Sequence, residues 1–104
     1  MRNNEFYQEY KKVGDQEYDI SGFYDLGGMS YFSGNTTQRG YYISVNKVKR
    51  SNGIITTTID FGAGRSGVKE LLVPVNRKSK KAEGKAFNMI NEDRINELIN
   101  YLNR

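Results

Sequence analysis

Cations and aromatics are the side chains here whose type and placing could do chemistry, and that chemistry is recognition of phosphate and bases. The 104-residue chain has 16 Lys and Arg, 8 Tyr and 5 Phe, but neither His nor Cys. Without those two residues it has no imidazole acid–base pair, no thiol nucleophile, no disulfide framework and none of the usual zinc sites. Catalysis would rest on carboxylates, Lys or Tyr, and no pair of acids has a spacing that demands such a role. A non-enzymatic chain without a cofactor or metal is expected.

The distribution of charge says more than the net +4. Residues 1–38 hold three bases against six acids, residues 39–85 eleven against three, and residues 86–104 two against three. A basic middle can neutralise phosphates and release their counterions. The phosphate candidates are Lys47, Lys49, Arg50, Arg65, Arg77, Lys78, Lys80 and Lys81, with Tyr31, Tyr41 and Tyr42 as aromatics for stacking on bases. Tyr41 and Tyr42 alternate on a strand, so one is expected to face inward and the other to be free. The plainer reading makes these cations a solvated surface. The rival function is a protein-interaction module, an accessory or anti-defence factor using the helix or a sheet edge.

Gly62-Ala63-Gly64-Arg65-Ser66-Gly67 matches G-x-G-x-x-G, but the next segment, Val68 to Val75, reads as a strand where a dinucleotide site needs a helix N-terminus. Val68 also stands where a P-loop needs Lys. The glycine-rich stretch is therefore read as a connection between strands with Arg65 at its tip.

The elements that must position these residues are mostly strands. Tyr41 to Ser51 and Ile54 to Phe61 are rich in β-branched and aromatic residues and flank Asn52-Gly53, the turn pair that accepts two positive φ angles. A two-residue turn would set Val45 opposite Asp60. A β-bulge near Asn46-Lys47 would instead set Val45 against Ile59 and Ile43 against Phe61, and is expected. Tyr18 to Asp25 alternates as a strand, Gly27-Gly28 reads as a turn, and Glu5 to Val13 as a short helix or an irregular arm. Residues 76–85 read as an exposed loop or a short frayed helix, and Ala86 to Ile90 as a short strand. The last element is a helix: Asn91 suits an N-cap, Glu92 and Asp93 suit the positive end of its dipole, and Ile95, Leu98, Ile99 and Leu102 repeat at helical spacing.

The expected fold is α+β: a single antiparallel sheet of about four to six strands, packed by one C-terminal amphipathic helix. One domain spans 1–104, with 1–17 as an irregular or mobile arm. Met1-Arg2-Asn3-Asn4-Glu5-Phe6 opens no signal peptide, and no run approaches the roughly 20 apolar residues of a membrane span, so a cytoplasmic location is expected.

Two resemblances add to this. Ile20-Ser21-Gly22-Phe23-Tyr24, Gly27-Gly28-Met29-Ser30-Tyr31-Phe32 and Arg39-Gly40-Tyr41-Tyr42-Ile43-Ser44-Val45 make residues 18–48 resemble small uncharacterised proteins of conjugative transposons and related mobile elements of clostridia and their relatives. Residues 41–103 run through strands, a basic loop, a short strand and an amphipathic helix entered by Phe87-Asn88-Met89-Ile90-Asn91-Glu92-Asp93-Arg94-Ile95. That order is similar to the PC4-like transcriptional coactivator family, whose members dimerise through the helix and bind single-stranded DNA on curved sheets. The resemblances imply a non-catalytic single-stranded-DNA-binding protein of a mobile element, with nucleic acid and a second copy of itself as partners.

Overall fold

The computed structural model describes residues 4–29, 36–57 and 67–104. Its main sheet begins with a hairpin of β1 (Glu5–Val13) and β2 (Gln16–Asp25), which pair from Val13 opposite Gln16 up to Glu5 opposite Phe23. Gly14, with φ 61°, takes the first place of the two-residue turn, which matches a type II′ hairpin. The expected irregular arm or short helix over this segment is therefore a strand. A register shift between Glu5 and Tyr7 hid it from sequence: Phe6 and Tyr7 both pack toward the core, which breaks the two-residue alternation.

Alternation is clean in β2, where Tyr18, Ile20, Gly22 and Tyr24 are buried and the residues between them are only partly so. A separate two-stranded ribbon comes next, β3 (Gly28–Met29) with β4 (Thr36–Thr37). The central strand is β5 (Gly40–Ser51), which pairs along one edge with β2 from Glu17 opposite Val48 to Asp25 opposite Gly40. Gly40 is buried where a Cβ would be driven into the backbone carbonyl of Val73, so the strand starts on a residue with no side chain.

The other edge of β5 is divided between β6 (Ile54–Thr57) and β7 (Gly67–Pro74). Asn52 (φ 53°) and Gly53 (φ 79°) form the expected turn, and Val48 to Ser51 pair with Thr57 to Ile54. The expected continuation is corrected. Val45 pairs with Val68 and Ile43 with Glu70, so β5 resolves the mismatch by changing partner strands and not through a bulge at Asn46-Lys47. The partners expected for them, Ile59 and Phe61, lie outside the described residues, as do Arg65, Tyr31 and most of the Gly-rich segment. The sheet's five strands thus occupy four positions across, and β7 carries its own register shift at Leu72.

Two helices close the fold where one was expected. α1 (Lys80–Met89) takes in Ala86 to Met89, expected to be a strand, and α2 (Glu92–Leu102) comes after Ile90 and Asn91. Ala82 and Ala86 are the buried residues of α1, small enough to bring the helix close to the sheet. The Asn91 side chain accepts from the Arg94 N–H at 2.9 Å, the expected N-cap, and Ile95, Leu98, Ile99 and Leu102 are all buried. These residues meet Tyr18, Ile20, Tyr24, Tyr41, Ile43 and Val45 in one core on one face of the sheet. The stripe of α2, which could face the sheet or a partner's helix and for which core packing is the favoured expectation, is packed within the chain. The fold is α+β with one principal antiparallel sheet. No helix among the described residues is long and apolar enough to cross a membrane.

Candidate nucleic-acid interface

The candidate cations among the described residues separate into two groups at opposite ends of the sheet. Tyr41 to Arg50 spans nine residues of extended chain, roughly 30 Å. Lys47, Lys49 and Arg50 stand at the hairpin end of β5, and Arg77, Lys78, Lys80 and Lys81 stand beyond its first residues, where β7 leads into α1.

At the hairpin end, Arg50 is already matched. Its Nε and Nη2 donate to the two Glu17 carboxylate oxygens at 2.5 and 2.8 Å, and its guanidinium lies 5.4 Å from the centre of the Tyr10 ring. Hydrogen bonding from Arg50 holds the Glu17 carboxyl below its usual value. A phosphate competing for Arg50 would have to displace a two-pronged carboxylate. Lys47 is half-buried and Lys49 exposed.

The other end is different, and buried residues place it. Tyr41 is 3% exposed, and its hydroxyl accepts from the Ser79 N–H at 3.0 Å and donates to the Ser79 carbonyl at 3.2 Å. Ser79 is in turn the N-cap of α1, its Oγ accepting from the Ala82 N–H at 3.2 Å. Arg39 donates to the carbonyls of Leu26 (2.7 Å) and Asn76 (3.1 Å), joining the end of β2 to the segment that enters α1. Lys78 donates to the Asn4 side chain and lies 5.8 Å from the Tyr24 ring centre. Arg77, Lys80, Lys81 and Lys85 are exposed. Among the described residues, none of Arg39, Arg77, Lys78, Lys80, Lys81 and Lys85 is ion-paired to a carboxylate.

Lys80 and Lys81 also occupy the first turn of α1, the positive end of its dipole, where cations are disfavoured until an anion approaches. The structure thus gathers four of the candidates, Arg77, Lys78, Lys80 and Lys81, with Arg39 and Lys85, which were not singled out. Arg39 could have been found only through tertiary contacts, since its neighbours in space are 13 and 37 residues away. A helical reading of Lys85 was available in Ser79 as an N-cap and in the spacing of Ala82, Ala86 and Met89.

The expectation that Tyr41 or Tyr42 is free to stack is corrected. Tyr42 is 6% exposed, its hydroxyl donates to the Gln38 carbonyl, and its ring stacks on Phe23 at 5.9 Å under the Lys69 ammonium, 4.5 Å from the ring centre. Lys69 is fixed by Asp25 at 2.6 Å, and that hydrogen bond lowers the Asp25 pKa. Both tyrosines are buried because this sheet is covered differently on its two faces: helices lie over Tyr41, and neighbouring side chains over Tyr42.

Beside this stack, the sheet face away from the helices forms a hollow of about 760 Å³ lined in part by Glu5, Asp19, Ser21, Asp25, Ser44 and Asn46. Its three carboxylates make it a poor seat for phosphate.

Compared with protein families, curated proteins and solved structures, the chain matches none. At the α1 entrance, cations without a described carboxylate partner stand beside a helix N-terminus whose cap, Ser79, is held by the buried Tyr41 hydroxyl.

Proposed function

We propose that the protein is a non-catalytic, cytoplasmic accessory protein of a mobile genetic element that binds single-stranded DNA with the α1 entrance. The observation that carries this reading is the gathering of cations without a described carboxylate partner where β7 leads into α1. Arg50 and Lys69 are matched by Glu17 and Asp25, whereas Arg39, Arg77, Lys78, Lys80, Lys81 and Lys85 have no described carboxylate partner. Unmatched cations gain most from releasing counterions of a phosphate chain. The order behind the PC4-like resemblance is kept only in part, because α1 stands where a short strand was expected before the last helix. The contact surface proposed is the basic end and not the sheet face, where the hollow is acidic.

The test is fluorescence anisotropy of labelled single- and double-stranded DNA over a salt series. Single strands should bind more tightly, with a slope of log K against log salt near about −3 for four to five neutralised phosphates. Charge reversal at Arg77, Lys78, Lys80 and Lys81 together should abolish binding, whereas reversal at Lys47 and Lys49 should change it little. Absence of binding to either DNA at low salt would overturn the proposal and favour docking on a protein.

A further inference from the structure

The outer edge of β1 has no partner strand among the described residues. The two-residue turn at Gly14-Asp15 closes on a hydrogen-bonded pair, Val13 with Gln16, so Val13, Lys11, Glu9 and Tyr7 direct their backbone groups to β2. The bond from the Tyr24 N–H to the Asn4 carbonyl, 2.9 Å, keeps the same alternation on β2. Gln8, Tyr10 and Lys12 therefore direct N–H and C=O outward. Such an edge is a template for another strand unless it is blocked. On the opposite edge β7 carries Pro74 and the irregularity at Leu72; β1 contains neither Pro nor Gly, and its own register shift lies at its start, between Glu5 and Tyr7, before the stretch Tyr7 to Val13.

Apolar surface gathers at the same edge. Of the five large apolar residues exposed among those described, Tyr10 (42%) and Val13 (44%) are on β1, and Phe87 (51%) meets β1 through an edge-on contact of 6.0 Å with Tyr7.

We infer that a second copy of this chain adds its β1 antiparallel to this edge, joining two sheets across a two-fold axis at Tyr10. Backbone parity allows only pairings that match Gln8, Tyr10 and Lys12 among themselves; Gln8 opposite Gln8 would run the pairing through the register shift at Phe6, and charge selects between the rest. Setting Gln8 opposite Tyr10 of the second copy would face Glu9 with Glu9, and setting Tyr10 opposite Lys12 would face Lys11 with Lys11. Setting Tyr10 opposite Tyr10 places Gln8 against Lys12, Glu9 against Lys11 and Tyr7 against Val13. That register has no like charges opposed, two opposite-charge pairs, and every outward backbone group bonded. A closed two-fold pairing also leaves no edge free for further growth on that side.

Pairing through β1 is independent of nucleic-acid binding. Its test uses the full chain, which has no Cys, so introduced thiols report distance without background. Facing residues in a hydrogen-bonded pair have Cα atoms about 5.5 Å apart, within disulfide reach. Light scattering of the wild type should give a dimer. Tyr10→Cys should oxidise to a covalent dimer, whereas Lys12→Cys, facing Gln8 and far from its own copy, should not. Tyr10→Pro removes an N–H that β2 does not use. It should raise the dimer dissociation constant about tenfold or more while leaving the melting temperature of dilute protein nearly unchanged. A wild type monomeric at its highest soluble concentration would overturn the inference. So would a dimer indifferent to Tyr10→Pro, or equal cross-linking by both thiol variants. If Tyr10→Pro does not fold, the contrast between the thiol variants decides.

Discussion

The Tyr41 hydroxyl is a hinge between core and surface: its ring belongs to the core, and its oxygen holds both backbone groups of Ser79. Replacing it by Phe keeps the packing but leaves the Ser79 N–H and carbonyl without that partner. Tyr41→Phe should cost about 1–2 kcal/mol in denaturant unfolding, and the same variant should weaken DNA binding although Tyr41 is too buried to touch DNA. Asp25 gives a second residue-scale test. Its pKa is lowered from the ordinary 3.8, chiefly by the hydrogen bond from Lys69 and also by the Gly27 N–H, against the opposing effect of burial. A depressed carboxylate contributes stability that is complete above its unfolded value and is lost as pH falls through the folded one. Both side chains reach solvent, so the contribution is small. An NMR titration should find the Asp25 midpoint below 3.8, and Lys69→Met should move it upward.

At the scale of elements, α1 and α2 are held in different ways. α2 depends on its apolar stripe, and Leu98→Ala should destabilise the protein by about 2–5 kcal/mol, as large-to-small core changes do. α1 buries only Ala82 and Ala86, so its cap is a larger share of what keeps it helical. Ser79→Ala should cost about 1 kcal/mol overall, and circular dichroism should show a loss confined to roughly one helix. This difference also explains what was legible. Ile95, Leu98, Ile99 and Leu102 announce a helix by period alone. Ala82 and Ala86, separated by Gly84 and surrounded by Lys, announce little, and Ala86 to Ile90 passes for a strand. The β1 segment failed for a related reason, because a strand with an irregularity and charges on both faces has no visible period.

Over the whole molecule, the strands differ in how many sides are bonded. β5 and β2 are bonded on both edges, β1 on one. Native-state hydrogen exchange should therefore be slowest in the core-facing stretch Tyr41 to Val45. The amides of Gln8, Tyr10 and Lys12 should exchange quickly in dilute protein and slow as concentration rises, if copies join through β1. Fast exchange there at every concentration would count against that joining, with no bearing on the basic end.

Several features were determined by the sequence itself. Absent His and Cys limit the chemistry, Asn52-Gly53 makes the hairpin, Asn91 and the spacing after it make α2, and residues 39–85 carry the positive charge. Each is a matter of residue type or short-range spacing, which the chain carries whether folded or not. Tertiary structure decided which cations stand together, that Tyr41 and Tyr42 are both buried, that β5 changes partner between β6 and β7, and that β1 forms an edge. Those outcomes depend on contacts between residues tens of positions apart, such as Arg39 with Asn76 and Tyr41 with Ser79. They are settled only when the sheet and helices compete for one core, a competition that no local pattern records.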